Sequence, residues 1–222
     1  DWENLNGTWD FGFDDENAGE KEKWYQEFKG DKKINVPFTY ETKLSGIQDE
    51  TRHDFIWYHR TINVDGVKLE NNRYILHFEG SDFITKVWVN GAYAGSHRGG
   101  YARCSFDVTN LVYDGENELT VKVEDSFDTQ QPRGKQRWIN ENFGCWYVQT
   151  TGIWKTVWSE YVPKISLASV KMTPDLQNAA LKLEYEVAAA EKDLDDDLMI
   201  TATVSFRGTT VAKQCVLANQ KH

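Results

Sequence analysis

Residues 118–124 read Glu-Leu-Thr-Val-Lys-Val-Glu, ELTVKVE. Leu119, Val121 and Val123 alternate with Thr120, Lys122 and Glu124, the period of two that a β-strand imposes by sending successive side chains to opposite faces. In a helix Val121 would point away from Leu119 and Val123 and leave an apolar side chain among polar ones. The stretch therefore reads as a strand, with the three apolar residues inward and Thr120, Lys122 and Glu124 outward.

The same alternation extends in both directions along the chain. In YILHFE (74–79), Tyr74, Leu76 and Phe78 face one side while Ile75, His77 and Glu79 face the other. FIWYHRTINV (55–64), ITKVWVN (84–90), CSFDV (104–108) and IWKTVWSEYV (153–162) follow it. Asn90-Gly91 is a type I′ hairpin signal, because both residues tolerate positive φ. Gly115-Glu116-Asn117 reads as a second turn. No long apolar stripe of period 3.6 with caps interrupts the pattern, so any helix is short. The chain is expected to be all-β, built of many short strands as in sandwiches.

The texture changes near Pro163. Trp and Tyr are dense before it; after it Trp disappears and plainer strands follow. ALKLEYEV (180–187) turns Leu181, Leu183, Tyr185 and Val187 inward, and MITATVSF (199–206) does the same with Ile200, Ala202, Val204 and Phe206. Between them the acidic EKDLDDDL (191–198) reads as a solvated loop, and VAKQCVL (211–217) begins another strand. Four strands fall short of the seven or so of an immunoglobulin-like sandwich, so the chain is expected to be a fragment that stops inside a second domain.

Composition excludes several classes. A formal net charge of -10 offers no positive surface for nucleic acid. No apolar run approaches the roughly 20 residues that cross a bilayer, and no signal peptide opens the chain, so no membrane partner is expected. Cys104, Cys145 and Cys215 are odd in number and widely spaced, which argues against a disulfide framework or a zinc site and for partly buried thiols in a reducing, cytoplasmic setting. No GxSxG, Cys-His or HExxH arrangement supports a nucleophilic triad or a catalytic metal, and no cofactor is implied. His59 and His77 sit within strands and read as structural.

One connection stands apart. Some 25 residues separate Glu124 from Gly152, where sandwich loops usually run four to six. They hold Asp125, Asp128, Arg133, Lys135, Arg137, Trp138, Asn140, Glu141, Asn142, Trp146, Tyr147 and Gln149. Large aromatics with both signs of charge argue against disorder. Aromatic faces beside carboxylates and guanidinium groups suit a ligand with C–H patches and many hydroxyls, and a sugar fits. The alternative is a loop packed on its neighbours with its charges paired among themselves.

Several segments taken together resemble the N-terminal region of glycoside hydrolase family 2, the family of β-galactosidases, β-glucuronidases and β-mannosidases. In order they are LNGTWDF (5–11), FIWYHRTI (55–62), VWVNGAYAGSHRGGYARCSFDVTNLV (87–112), GENELTVKVED (115–125), PRGKQRW (132–138) and QTTGIWKTVWSE (149–160). The resemblance covers residues 5–162. It implies a galactose-binding-like jelly roll over 1–162, an incomplete immunoglobulin-like β-sandwich over 163–222, and a catalytic (β/α)8 barrel beyond it. Retaining glycosidases need two carboxyl groups about 5–5.5 Å apart. Asp125 and Asp128 invite that reading, but nothing here resembles the family's catalytic segments, and no catalytic residue is assigned. The partners implied are a carbohydrate substrate and the missing barrel of the same polypeptide, with a homo-oligomer left open. The resemblance places Asp128 at the rim of the barrel's active site and a second rim contribution in the loop ETRHDF (50–55), where this sequence has His53 and Asp54; Arg133 and Trp138 join these as candidates, and for all four the competing reading is simple loop packing. The β-galactosidases offer an Asn in that loop, so galactose specificity is not implied. His97, Arg98 and Tyr101 read as structural. The competing reading is a stand-alone carbohydrate-binding or adhesion module without hydrolase activity.

Overall fold

The computed structural model describes residues 1–128, 130–189 and 198–218. Strands make up nearly all of its regular structure. In chain order they are β1 (Trp2–Asn4), β2 (Gly7–Phe13), β3 (Lys32–Val36), β4 (Phe55–Val64), β5 (Asn72–Phe78), β6 (Ser81–Asp82), β7 (Ile84–Val89), β8 (Ala92–Arg98), β9 (Cys104–Asp107) and β10 (Gly115–Glu124). After a long connection come β11 (Gly152–Ile153), β12 (Val157–Pro163), β13 (Ser166–Asp175), β14 (Ala180–Ala188), β15 (Met199–Phe206) and β16 (Thr209–Leu217). One helical turn, α1 (Gly66–Leu69), is capped by the Asp65 carboxylate, which accepts from the Val67 and Lys68 N–H groups. No helix among the described residues is long and apolar enough to cross a membrane.

The chain divides into two units, Asp1–Tyr161 and Val162–His222. The first is a sandwich. One sheet runs β3-β2-β4-β10-β7-β8 and the other β1-β12-β5-β9. Its core collects Leu119, Val121 and Val123 of β10 with Trp9, Phe11, Tyr58, Tyr74, Leu76 and Phe78. The aromatic rings meet edge to face, Phe11 and Tyr58 with centroids 5.1 Å apart. Each such side chain contributes about 1.5–3 kcal/mol by leaving water. The hairpin at Asn90-Gly91 has φ of +51° and +75°, as the dipeptide requires.

Three local expectations are corrected. Thr120 and Lys122, read as facing water, are both 2 % exposed. They do point away from the core, but the turn-rich segment 14–30 covers that face. There Lys122 Nζ donates to Asn17 Oδ1 at 2.6 Å and to Glu20 Oε1 at 2.8 Å, and lies over the rings of Phe55 and Trp57. Residues 115–117 belong to β10 rather than to a turn. The buried Asn117 side chain closes the preceding turn by donating to the Tyr113 and Gly115 carbonyls and accepting from the Tyr113 N–H. The strand expected over 153–162 is split into β11 and β12, because the Trp154 and Lys155 N–H groups leave the ladder and donate to the Gly80 carbonyl.

The second unit consists of two antiparallel hairpins, β13-β14 and β15-β16. Leu183, Tyr185, Ile200, Ala202 and Val204 line an apolar trough of about 440 Å³. Phe206, expected inward, is 64 % exposed. It stands at the last position of β15, where its ring meets the Arg207 guanidinium instead. Residues 191–197 of the acidic segment lie outside the described residues.

Candidate functional site

Two loops meet at one end of the first unit. Residues 49–54 precede β4, and the long connection 125–151 joins β10 to β11. Backbone and side chains knit them: the Asp125 N–H donates to the Asp54 carbonyl at 2.9 Å, and Gln149 Nε2 donates to the Thr51 carbonyl at 3.2 Å. Arg137 donates from Nη2 to the Glu50 carbonyl, from Nε to Gln149 Oε1 at 2.9 Å and from Nη1 to Asn142 Oδ1 at 3.2 Å. The long connection is ordered by bridges of its own, with the Arg137 N–H donating to the Tyr147 carbonyl and the Tyr147 N–H to the Lys135 carbonyl.

The floor beneath is buried and polar. Asp125, Gln131, Arg133, Arg137, Gln149 and Thr151 are all under 9 % exposed. Gln131 Nε2 donates to Asp125 Oδ1 at 2.6 Å, and Thr151 Oγ1 donates to Asp125 Oδ2 at 3.1 Å. Burial and the neighbouring Asp82 push the Asp125 carboxyl up to about 7. Glu41, in the turn after β3, accepts from the Thr151 N–H at 3.0 Å, and burial pushes it to about 7 as well.

The residues singled out by sequence take different stations. Asp128 is exposed at the top of the connection; its Oδ1 accepts from the Gln130 N–H, and among the described residues its carboxylate makes no salt bridge. Arg133 is turned inward, donating to the carbonyls of Ser126, Asp128 and Arg137, so it shapes the turn that presents Asp128. Asp54 is held by Arg52 through two hydrogen bonds, and the Arg52 guanidinium lies 4.5 Å over the ring of Phe127. The two predicted rim loops are thus joined next to Asp128. His53 turns away from Asp128 and the long connection, towards β2 and its own loop. It stacks on Phe13 at 3.6 Å, its Nδ1 lies 2.7 Å from Asp15 Oδ1, and its Nε2 lies 3.1 Å from Thr51 Oγ1. Trp138 packs edge-on against Trp146 at 4.6 Å and Phe143 at 5.0 Å.

A polar cleft of about 660 Å³ opens between the loops, lined by Glu50, Thr51, Arg52, Arg137 and Asn140. Such a volume accommodates a small ligand. Asp125 and Asp128, which invite reading as a catalytic pair, occupy opposite environments, one buried and satisfied, the other exposed. The set binds and orients: an open carboxylate accepts hydroxyls, and guanidinium and amide groups hold the loops that carry it. Among the described residues no cluster of three His, Cys, Asp or Glu side chains is placed to hold a metal ion. Glu41 and Asp82 carried no sequence signal, and Arg52 was marked only by its place in the loop ETRHDF. Each lies in a turn, a two-residue strand or a short loop, where periodicity says nothing. His97 and Tyr101, read as structural, lie on β8 and just after it; Tyr101 approaches Gly134 of the long connection.

Among known proteins, the chain is 25% identical over 216 residues to a β-galactosidase of Thermoanaerobacter pseudethanolicus, covering 94% of this chain and 26% of that protein. It is 30% identical over 131 residues to a β-glucuronidase of Paenibacillus borealis, covering 57% of this chain and 21% of that protein. The chain therefore spans about a quarter or less of the length of these relatives. The solved structure of a β-glucuronidase from an uncultured Clostridium species superposes with a TM-score of 0.73 at 22% identity, covering 100% of this chain and 40% of that one, a likeness of fold. The sequence model of glycosyl hydrolases family 2, sugar binding domain, matches residues 2–158. With more than two thirds of its length inside that match, and with the sandwich and loop anchorage just described, the chain belongs to glycoside hydrolase family 2.

Proposed function

We propose that this chain is the non-catalytic N-terminal portion of a retaining glycoside hydrolase that removes terminal β-linked sugars. Its first unit scaffolds a catalytic barrel elsewhere in the polypeptide and lends it a rim. The observation that carries this reading is the presentation of Asp128: an exposed carboxylate, free of salt bridges among the described residues, on a turn braced from below by the buried Arg133. A rim that binds sugar needs an open acceptor on a rigid support, because ordering a mobile loop upon binding subtracts from affinity. Arg133 acts here as a positioning residue, and the Arg52–Asp54 pair ties the second loop to the same corner. Trp138 packs within the long connection against Trp146 and Phe143, and His53 anchors its loop to β2 by stacking on Phe13.

In the full-length polypeptide, Asp128→Ala is expected to lower kcat/KM about 10- to 100-fold, the loss of one hydrogen bond to a charged group. Aryl β-glucuronides and β-galactosides, assayed side by side, would show which substrate the rim serves. Unchanged kinetics in a correctly folded variant would remove Asp128 from the rim. The 222-residue chain alone is expected to give no calorimetric signal with either sugar. Binding in the micromolar to low millimolar range would instead support the free-standing module.

A further inference from the structure

Three buried carboxyl groups meet at the base of the long connection, Glu41 from the turn after β3, Asp82 from β6 and Asp125 from the connection's own first position. Glu41 is 5 % exposed, Asp82 4 % and Asp125 6 %. Two grip the connection from outside it through a neutral donor, Glu41 through the Thr151 N–H and Asp82 through Gln136 Nε2 at 2.8 Å, and Asp125, its first residue, ties it back on itself through Gln131 Nε2 and Thr151 Oγ1. Gln136 in turn accepts the Thr150 N–H at 2.7 Å. Thr151 thus bridges Glu41 to Asp125, and Asp82 and Asp125 feel each other's charge. Little positive charge answers this set. The Arg133 guanidinium donates to backbone carbonyls and reaches Asp82 and Asp125 only through space, and Arg52 is committed to Asp54. The facing tyrosines, Tyr40 and Tyr58, are held neutral well above their ordinary range by burial. Glu41 Oε2 is buried without a hydrogen-bond partner.

Unpaired carboxylates sealed from water are disfavoured, and such groups take up a proton instead. We propose that a proton retained within the Glu41, Asp82 and Asp125 set holds the connection 125–151 down on the sandwich, and that the connection loosens as pH rises towards neutrality and that proton is given up. Both Glu41 and Asp125 are pushed up to about 7. In the loosened state they would regain water and their ordinary range near 4. The closed state then binds more protons than the open one, so closure is favoured at low pH and weakens as pH rises from about 4 to about 7. The inference rests on anchorage alone and holds whether or not Asp128 touches a sugar.

Hydrogen exchange on the 222-residue chain between pH 5.5 and 8.5, corrected for intrinsic rates, tests it. Protection of the Arg137, Tyr147 and Thr151 amides is expected to fall by at least about tenfold across that range, because opening is coupled to the release of a proton. Asp125→Asn keeps an acceptor for Gln131 but cannot ionise, and should clearly diminish that step, leaving the part due to Glu41. Glu116→Gln, the same change of charge at an exposed position of β10, should retain it. Protection independent of pH in the wild type, or an undiminished step in Asp125→Asn, overturns the proposal. Should Asp125→Asn fail to fold, the carboxyl carbons of the wild type can be titrated by NMR. A midpoint above about 6 at Glu41 or Asp125 is expected, and ordinary values near 4 at both would sink the idea.

Discussion

Gly152 has φ of +93°, and a Cβ added there would collide with the Tyr58 hydroxyl oxygen and lie 2.8 Å from Ile56 Cδ1. That hydroxyl accepts the neighbouring Ile153 N–H, so it has no freedom to retreat without leaving a buried donor unpaired. Gly152→Ala combines a backbone conformation L-residues avoid with overpacking, and is expected to cost about 2–4 kcal/mol in urea unfolding. A cost below about 1 kcal/mol would mean that β4 and β11 are less tightly apposed. Gly100 makes a related point, since a Cβ there would collide with the Asp82 carboxylate. The residues that forbid a side chain at these glycines, Tyr58 and Asp82, come from other positions in the chain, which nothing local to either glycine records.

At the scale of the element, the connection 125–151 is legible as ordered from its length, aromatics and mixed charge. The direction of each side chain is not. Arg133, Lys135 and Arg137 look alike in sequence, yet the two arginines are buried and Lys135 is exposed. The cause is backbone accounting: a connection that makes only isolated bridges leaves carbonyls without ladder partners, and a buried guanidinium with its five donors satisfies several at once. Arg133→Ala withdraws donors from the Ser126, Asp128 and Arg137 carbonyls, at about 1–3 kcal/mol. The loss is local. Proteolysis within 126–137 should accelerate several-fold while the global unfolding midpoint moves little, and Arg133→Lys should recover little, since one ammonium lacks the planar fork. An unaltered cleavage rate would show that the turn holds itself.

Across the whole molecule the two units differ in what they bury. The first encloses a continuous core of large aromatic and aliphatic side chains. In the second, no described residue is fully buried; Leu167, Met172, Leu181 and Phe206 are 51 %, 65 %, 39 % and 64 % exposed. Two hairpins with so little burial cannot offset the conformational entropy of ordering some 60 residues. A peptide spanning 162–222 is therefore expected to show no cooperative heat-capacity peak on its own. A sharp two-state transition would mean that the trough closes into a core.

The all-β class, most strand positions, the Asn90-Gly91 hairpin and the unusual polar, aromatic connection were all legible in the order of residues. They follow from the period of two and from local turn chemistry, which neighbours along the chain dictate without help. Packing, by contrast, settled that Lys122 lies under segment 14–30, that Asp125 is buried while Asp128 is open, and that Glu41 and Asp82 reach the same connection. Burial and its consequences for charge are set by what arrives from elsewhere in the chain, and alternation carries no record of that neighbour.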